Sequence, residues 1–348
     1  MTIHTIDSLF GSSRHFLIPE VGLAHSGSFT LACAYIDLVS KLGLTSIKFQ
    51  HHNSAYESSP NEQFRTFDSR IISKSRYDYW NDTSFDISTW KRLVDYAHSK
   101  NLLFGITPNS YQSVAELLAN DISIDFWKIG SSDIDNFHLL NFCASEIKQP
   151  IIISTGLATV SAIEAVASLF KPTQAAFLSC HSSYPSTLID FSLPRLDALS
   201  DILGPSFQVG LSDHSGSIAP ILYSASHGYQ IFEFHLSISP HIFNFDLSSS
   251  LTPENAKDLV LLLNQIGECS TSGQSSLAPT NSVVGSLFSK KLHYAHSLNP
   301  GDTVQFSDVL SLRGTEGDLP SSSYNLIHNR VLSTSVVANA PVSLSDFQ

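Results

Sequence analysis

Short runs rich in Val, Ile, Leu and Phe recur along the chain at 16–23 (FLIPEVGL), 46–50 (SIKFQ), 102–107 (LLFGIT), 125–130 (DFWKIG), 150–154 (PIIIS), 175–180 (AAFLSC), 207–212 (FQVGLS) and 230–236 (QIFEFHL). Runs of this length and composition predict buried strands. The segments between them space their apolar residues three and four apart, the period of an amphipathic helix. In 29–42 these are Leu31, Tyr35, Ile36, Leu38 and Val39; in 159–170 they are Ile163, Val166 and Leu169, with Thr159 as a possible N-cap. Eight strands alternating with helices over about 250 residues predict an α/β fold of the (β/α)8 TIM-barrel type. A doubly wound open sheet is the alternative, but GLAHSG after the first strand is not its Gly-rich fingerprint.

Two segments break the alternation. Residues 51–87 form a long polar stretch with Tyr, Trp and Asn, read as a loop that is either functional or disordered. Residues 267–285 (GECSTSGQSSLAPTNSVVG) read as a linker. The expected organisation is therefore a barrel over 1–266, a linker over 267–285 and a small, mostly β domain over 286–348, where NPGD, RGTEGD and ANAPV separate short apolar runs.

Composition narrows the partners. The chain has 348 residues and a formal net charge of −12, which opposes both phosphate-driven nucleic-acid binding and an anionic membrane surface. An anionic substrate then requires that a few cations gather in one pocket. The four cysteines are widely spaced, with no CxxC, so neither a structural zinc site nor a disulfide framework is suggested. The first twenty residues lack a basic segment followed by a long apolar one, so no signal peptide is expected, and the protein is expected to be cytoplasmic.

In a barrel the site lies at the carboxyl ends of the strands. Read in order, those ends carry Glu20, Lys48, Thr107, Lys128 followed by Ser131, Ser154, Ser182 with Tyr184, Ser212 with His214, and His235. His214 and His235 end neighbouring strands and are candidates to share a divalent metal; two hydrogen-bonded rim histidines are the plainer alternative. Lys48 and Lys128 lie inside strands, where burial demands an anion. That anion is either a phosphate or carboxylate of a substrate, or Glu20 or Glu233 in an internal ion pair. Hydroxyls at Thr107, Ser131, Ser154 and Ser212 are available to the same phosphate. Glu20 is a candidate general acid or base, or else a salt-bridge partner. Asp213 and Asp246 are candidates to orient the histidines, or else loop caps, and Asp133 has the same two readings. Together these favour a phosphate-bearing substrate with a divalent metal and no nucleotide motif.

Beyond this, the order of motifs carries a resemblance. IPEVGLAHSG (18–27), IKFQ (47–50), TP (107–108), WKIGSSD (127–133), ISTGLAT (153–159), SCHSSYP (179–185), VGLSDHSG (209–216) and FEFHLS (232–237) match, in sequence, the segments of the sialic acid synthase family. The tail, with NPGD and RGTEGD, resembles that family's small antifreeze-like (SAF) domain. The resemblance implies condensation of phosphoenolpyruvate with an N-acylated amino sugar, N-acetylmannosamine or a diamino-dideoxy analogue. It also implies a divalent metal, Mn2+ or Mg2+, on His214 and His235, and a domain-swapped homodimer. The phosphoenolpyruvate ligands fall on Lys48, Thr107, Lys128, Ser131, Ser154 and Ser212. The catalytic glutamate falls on Glu20, and the sugar contacts on Gln50, Tyr184 and Asp246, with Asp133 and Ser182 among the substrate-binding positions. An arginine that reaches the partner's site falls on Arg313. The chain departs from the family pattern at Ala24, Phe234, Phe245, Leu247 and the Arg313-Gly314-Thr315 turn. Phe234 and Leu247 are expected to make the sugar side more apolar, and so to select a different sugar or to weaken the enzyme. Two alternatives stand beside this reading: a catalytically silent homologue used for binding or assembly, and another phosphoenolpyruvate-dependent sugar synthase.

Overall fold

The computed structural model describes residues 4–10, 14–65, 71–271, 282–314, 317 and 319–348. The chain divides into two compact units, 1–272 and 273–348. In the first, eight parallel strands are β1 (Phe16–Gly22), β2 (Ser46–His51), β3 (Leu103–Pro108), β4 (Phe126–Ile129), β5 (Ile151–Ser154), β6 (Ala175–Cys180), β7 (Gln208–Asp213) and β8 (Ile231–Leu236). Each pairs with the next, and β1 pairs with β8 from Phe16↔Ile231 to Glu20↔His235, so the sheet closes into a barrel. All eight expected strands are present.

A helix follows each strand: α1 (Phe29–Lys41), α2 (Ile87–Ser99), α3 (Tyr111–Ala119), α4 (Phe137–Glu146), α5 (Val160–Ala167), α6 (Leu193–Leu203), α7 (Ala219–Ser226) and α8 (Pro253–Thr271). Their starts are written locally. Ser28, Asp86, Ser110, Asn136, Thr159 and Ser192 each accept a backbone N–H of the first turn, which satisfies one of the donors a helix start leaves open. Part of the chain's abundance of serine is spent on these caps.

Strand alternation then sorts the barrel into two cores. Outward residues such as Phe49, Ile106, Trp127, Ile153, Phe177, Leu211 and Phe234 pack under the helices. Inward residues Phe16, Ile18, Phe126, Ile152, Ala176, Leu178 and Ile231 fill the amino-terminal half of the lumen, which Ile6 and Leu9 cover. Gly105 makes room for one of them, since a Cβ there would stand 2.1 Å from the Phe126 ring. Continuing the same inward alternation brings Glu20, Lys48, Lys128, Ser154, Ser212, Glu233 and His235 to the carboxyl end.

Two expectations change. Residues 51–87 are not one loop: they hold the helix Ser54–Glu57, an antiparallel pair Gln63–Arg65 and Ile71–Ser75, the helix Arg76–Thr83, and the start of α2. The expected linker is helical at both ends, in α8 as far as Thr271 and in Ser282–Phe288, while 272–281 lie outside the described residues. The second unit is β-rich. Strands β9 (Lys290–Tyr294) and β10 (Val309–Arg313) form an antiparallel hairpin over a small core that includes Leu292, Tyr294, Val304, Ile327 and Leu332. Among the described residues no helix is long and apolar enough to cross a membrane.

Candidate active site

A cavity of about 640 Å3 opens at the carboxyl end of the barrel. Its lining includes Glu20, Lys48, Gln50, Thr107, Lys128, Ser131, Asp133, Ser154, Ser182, Tyr184, Ser212, His214 and His235. The strand ends and the turns that follow them therefore bring thirteen of the fifteen expected residues together. Of the other two, Asp246 stands beside the wall, its Oδ2 3.8 Å from His235 Nδ1. Arg313 belongs to the second unit, where its guanidinium lies 5.7 Å from the centre of the Phe288 ring.

The floor is a buried ionic network. Lys48 Nζ contacts Glu20 Oε2, lies 3.3 Å from Glu233 Oε1, and donates to Thr107 Oγ1 at 2.7 Å. Lys128 Nζ donates to Ser154 Oγ at 2.7 Å and to the Ile129 carbonyl at 2.9 Å, and lies 3.6 Å from Glu233 Oε2. Ser212 donates to Glu233 at 2.6 Å. Burial pulls the Lys48 ammonium down to about 8, against the pull of Glu233. Burial alone would raise the Glu233 carboxyl, but Lys128, Lys48 and Ser212 hold it at about 2. Of the two readings of these lysines, the internal ion pair is present, with both Glu20 and Glu233. Two carboxylates offset two ammoniums, and hydroxyls of Thr107, Ser131, Ser154, Ser182 and Ser212 surround them.

The metal question turns on the histidines. Their ring centres are 5.6 Å apart, and Tyr184 packs against both, at 4.2 Å from His214 and 6.0 Å from His235. His214 Nδ1 donates to the His181 carbonyl at 3.1 Å, which fixes its tautomer and leaves the Nε2 lone pair for a ligand. Burial, and then His235, push the His214 imidazole down to about 4, so it is neutral at physiological pH, as a ligand must be. His235 Nδ1 is buried without a hydrogen-bond partner. This donor set fits a divalent cation held by two imidazoles, with water and substrate completing its shell. Among the described residues no third His, Cys, Asp or Glu joins them.

The lining also contains residues that the strand-end reading passed over: His52, Tyr56, Glu57, Arg76, Trp80, Asn109, Asn136 and Cys180. Three of these were within reach of the alternation rule, because His52, Asn109 and Cys180 lie two residues beyond Gln50, Thr107 and Leu178. The rest come from the stretch between β2 and α2 and from the turn before α4, where no period marks them. The departures from the family pattern also fall into place. Phe234 points outward into the helix-facing core and Ala24 is buried there, so neither touches the cavity. Phe234 therefore does not make the sugar side apolar. Phe245 packs edge-on against Tyr79 at 5.3 Å, and Leu247 begins the short 3-10 turn after Asp246.

A parallel barrel that gathers acids, ammoniums and imidazoles at the carboxyl end of its strands is laid out as a barrel enzyme. The NeuB family model matches residues 35–275, and the chain belongs to the NeuB family. The N-acetylneuraminate-9-phosphate synthase of Homo sapiens is 25% identical over 329 residues, covering 93% of this chain and 90% of that protein. The N,N'-diacetyllegionaminic acid synthase of Legionella pneumophila is 26% identical over 328 residues, covering 91% and 90%. The crystal structure of the sialic acid synthetase of Leptospira borgpetersenii in complex with citrate superposes with a TM-score of 0.65 at 29% identity, covering 78% of this chain and 90% of that one.

Proposed function

We propose that this chain condenses phosphoenolpyruvate and water with an N-acylated amino sugar, N-acetylmannosamine or a diamino-dideoxy analogue, to give a nine-carbon 2-keto acid and phosphate. The observation that carries the proposal is the cavity floor. Two lysines and a ring of hydroxyls converge there beside an imidazole pair with a free lone pair. The names of the relatives support the synthase class but differ in the sugar.

In this reading Lys48, Lys128 and the surrounding hydroxyls hold phosphoenolpyruvate with its C3 turned toward the mouth, where the open-chain sugar enters. Holding the two reactants in that geometry removes much of the entropic barrier. Gln50, Asp246 and Tyr184 seat the sugar beside His214 and His235. A divalent metal on those two histidines would supply Lewis acidity at the aldehyde oxygen. The new carbon–carbon bond joins C3 to the aldehyde carbon, whose oxygen takes a proton. Positive character is left at C2. Water adds to C2 and Glu20 takes one of its protons, which balances the proton taken up by the aldehyde oxygen. The C2–O bond to phosphate then breaks, and the C2 hydroxyl gives its proton to the departing phosphate to leave the 2-keto group. Arg313 is proposed to serve the partner's site in a domain-swapped homodimer.

Incubating the protein with Mn2+, phosphoenolpyruvate and a panel of N-acylated hexosamines, phosphorylated and not, tests the proposal. Sugar-dependent phosphate release together with a nine-carbon keto acid by mass is the expected result. The complete pairing of Lys48 and Lys128 with Glu20 and Glu233 favours one other reading, a silent homologue. That reading requires neither release nor binding of phosphoenolpyruvate.

Two further results are expected. Chelation should reduce turnover to background, with recovery on adding Mn2+; full activity of protein shown to be metal-free would remove the metal from the reaction. Second, kcat/KM for phosphoenolpyruvate should fall about tenfold per pH unit on the alkaline side, beginning near the Lys48 value of about 8. The charged ammonium binds the anion and is the low-pH form, so affinity is present below that pH and lost above it. A profile flat to pH 10 would show that Lys48 charge is not needed for binding.

A further inference from the structure

One wall of the cavity is built around an imidazole that no step above uses. His52 Nδ1 lies 2.6 Å from Glu57 Oε2, and its Nε2 lies 3.1 Å from Gln50 Oε1. The Glu57 oxygen at one end of the ring and the Gln50 amide oxygen at the other can only accept, and Asn109 Nδ2 lies 3.2 Å from the same Nδ1. The ring is clamped in that pose. It stacks on Trp80 at 4.4 Å with 16° between planes, and Ser84 Oγ donates to its backbone carbonyl at 2.8 Å. Glu57 is itself fixed, since its other oxygen accepts the Asn53 N–H at 2.6 Å. The His52 and Glu57 side chains are 7% and 3% exposed, so this is a built arrangement and not a surface contact.

The consequence falls on Gln50. A Gln amide has a donor end and an acceptor end, and its neighbours decide which way it faces. With Oε1 engaged by His52, the NH2 end turns toward Gly22 and Asp246. A Cβ at Gly22 would stand 3.8 Å from Gln50 Nε2 and 3.4 Å from Asp246 Oδ2. Gly22, at φ +56°, leaves that corner open. Donor and carboxylate meet there, beside His235. Such a corner accepts a group that offers an acceptor oxygen to Gln50 and a hydroxyl proton to Asp246. If Gln50 were reversed, it would present a second acceptor next to the carboxylate and would repel the same group.

We propose that His52 is a positioning residue that sets which end of the Gln50 amide faces the substrate, and is thereby a determinant of sugar selectivity. The inference rests on the functional reading above. His52→Phe keeps a ring on Trp80 and removes both ring nitrogens, whereas His52→Gln restores an N–H toward Gln50. In His52→Phe the KM for the sugar should rise about tenfold or more, the scale of leaving a buried polar group without its partner. The KM for phosphoenolpyruvate should stay within about twofold, because Lys48 and Lys128 hold that substrate. His52→Gln should recover most of the loss. Glu57→Gln gives the same split from a second position if His52→Phe does not fold. Sugar KM unchanged in the folded variants, or both KM values raised alike, overturns the inference while wild-type turnover leaves the functional reading standing. A wild type that releases no phosphate with any sugar overturns the functional reading, and this inference with it.

Discussion

Lys48→Met is expected to abolish phosphate release and to lower the denaturation midpoint of the barrel. The two effects have one cause. Lys48 is 2% exposed and holds Glu20, Glu233 and Thr107. Met has nearly the same volume but no charge, so Glu20, 3% exposed, loses its ammonium where little water can replace it. Removing one partner of a buried pair costs about 3–5 kcal/mol, far more than the pair itself contributes, because the remaining charge is stranded. Lys128 still faces Glu233, so Glu20 carries most of the loss. The double variant Lys48→Met with Glu20→Gln removes the stranded charge, and should regain stability without regaining activity. Chemical denaturation of the single and double variants, alongside phosphate release, separates the contributions. A single variant as stable as wild type would mean that the network is better hydrated than its burial indicates. Retained turnover would take Lys48 out of anion binding.

The second large effect is expected at Glu20. Glu20→Gln keeps the shape and leaves Lys48 paired with Glu233. Its cost in stability should therefore be smaller than that of Lys48→Met. Its cost in rate should be about 10²–10⁴ in kcat, the range for a positioned proton-transfer group. Metal content should be unchanged, since the proposed metal ligands are His214 and His235. The carboxylate is already engaged by the Gly22 N–H and by Lys48. Those contacts aim it, and the rate is expected to depend on its charge and not merely on its presence. A variant with wild-type kcat would end the proton-transfer role. A variant that loses its metal would place Glu20 near the coordination shell instead.

The barrel was legible because every one of its strands is a short apolar run closed by a polar end, and the order of those ends named the cavity floor. Lys48 and Lys128 stood out because an ammonium buried inside a strand must be matched by an anion. What was not legible has physical reasons. Its place in the family motif puts Phe234 on the sugar side, yet a strand sends neighbours to opposite faces, and Phe234 faces away from Glu233 and His235. The wall formed by His52, Glu57, Arg76 and Trp80 comes from elements too short to show a period. Residues Gly267–Thr271 look like a linker by composition, but the preceding turns of α8 carry them as helix, because propensity is a weak prior beside packing. Arg313 lies in the other unit, and neither strand order nor alternation connects it to the cavity.

The plug at the amino-terminal end of the lumen has a kinetic meaning. Ile6 and Leu9 cover an apolar layer that includes Phe16, Phe126 and Ile152, so among the described residues the lumen is closed at that end. In the proposed reading the phosphoenolpyruvate is held on the floor and the sugar at the mouth. A seated sugar would therefore block the way down. Phosphoenolpyruvate must enter first and the sugar second, and phosphate cannot leave before the long keto acid has cleared the doorway. Turnover should accordingly follow a compulsory order, and a sugar analogue added in excess should trap the first substrate inside.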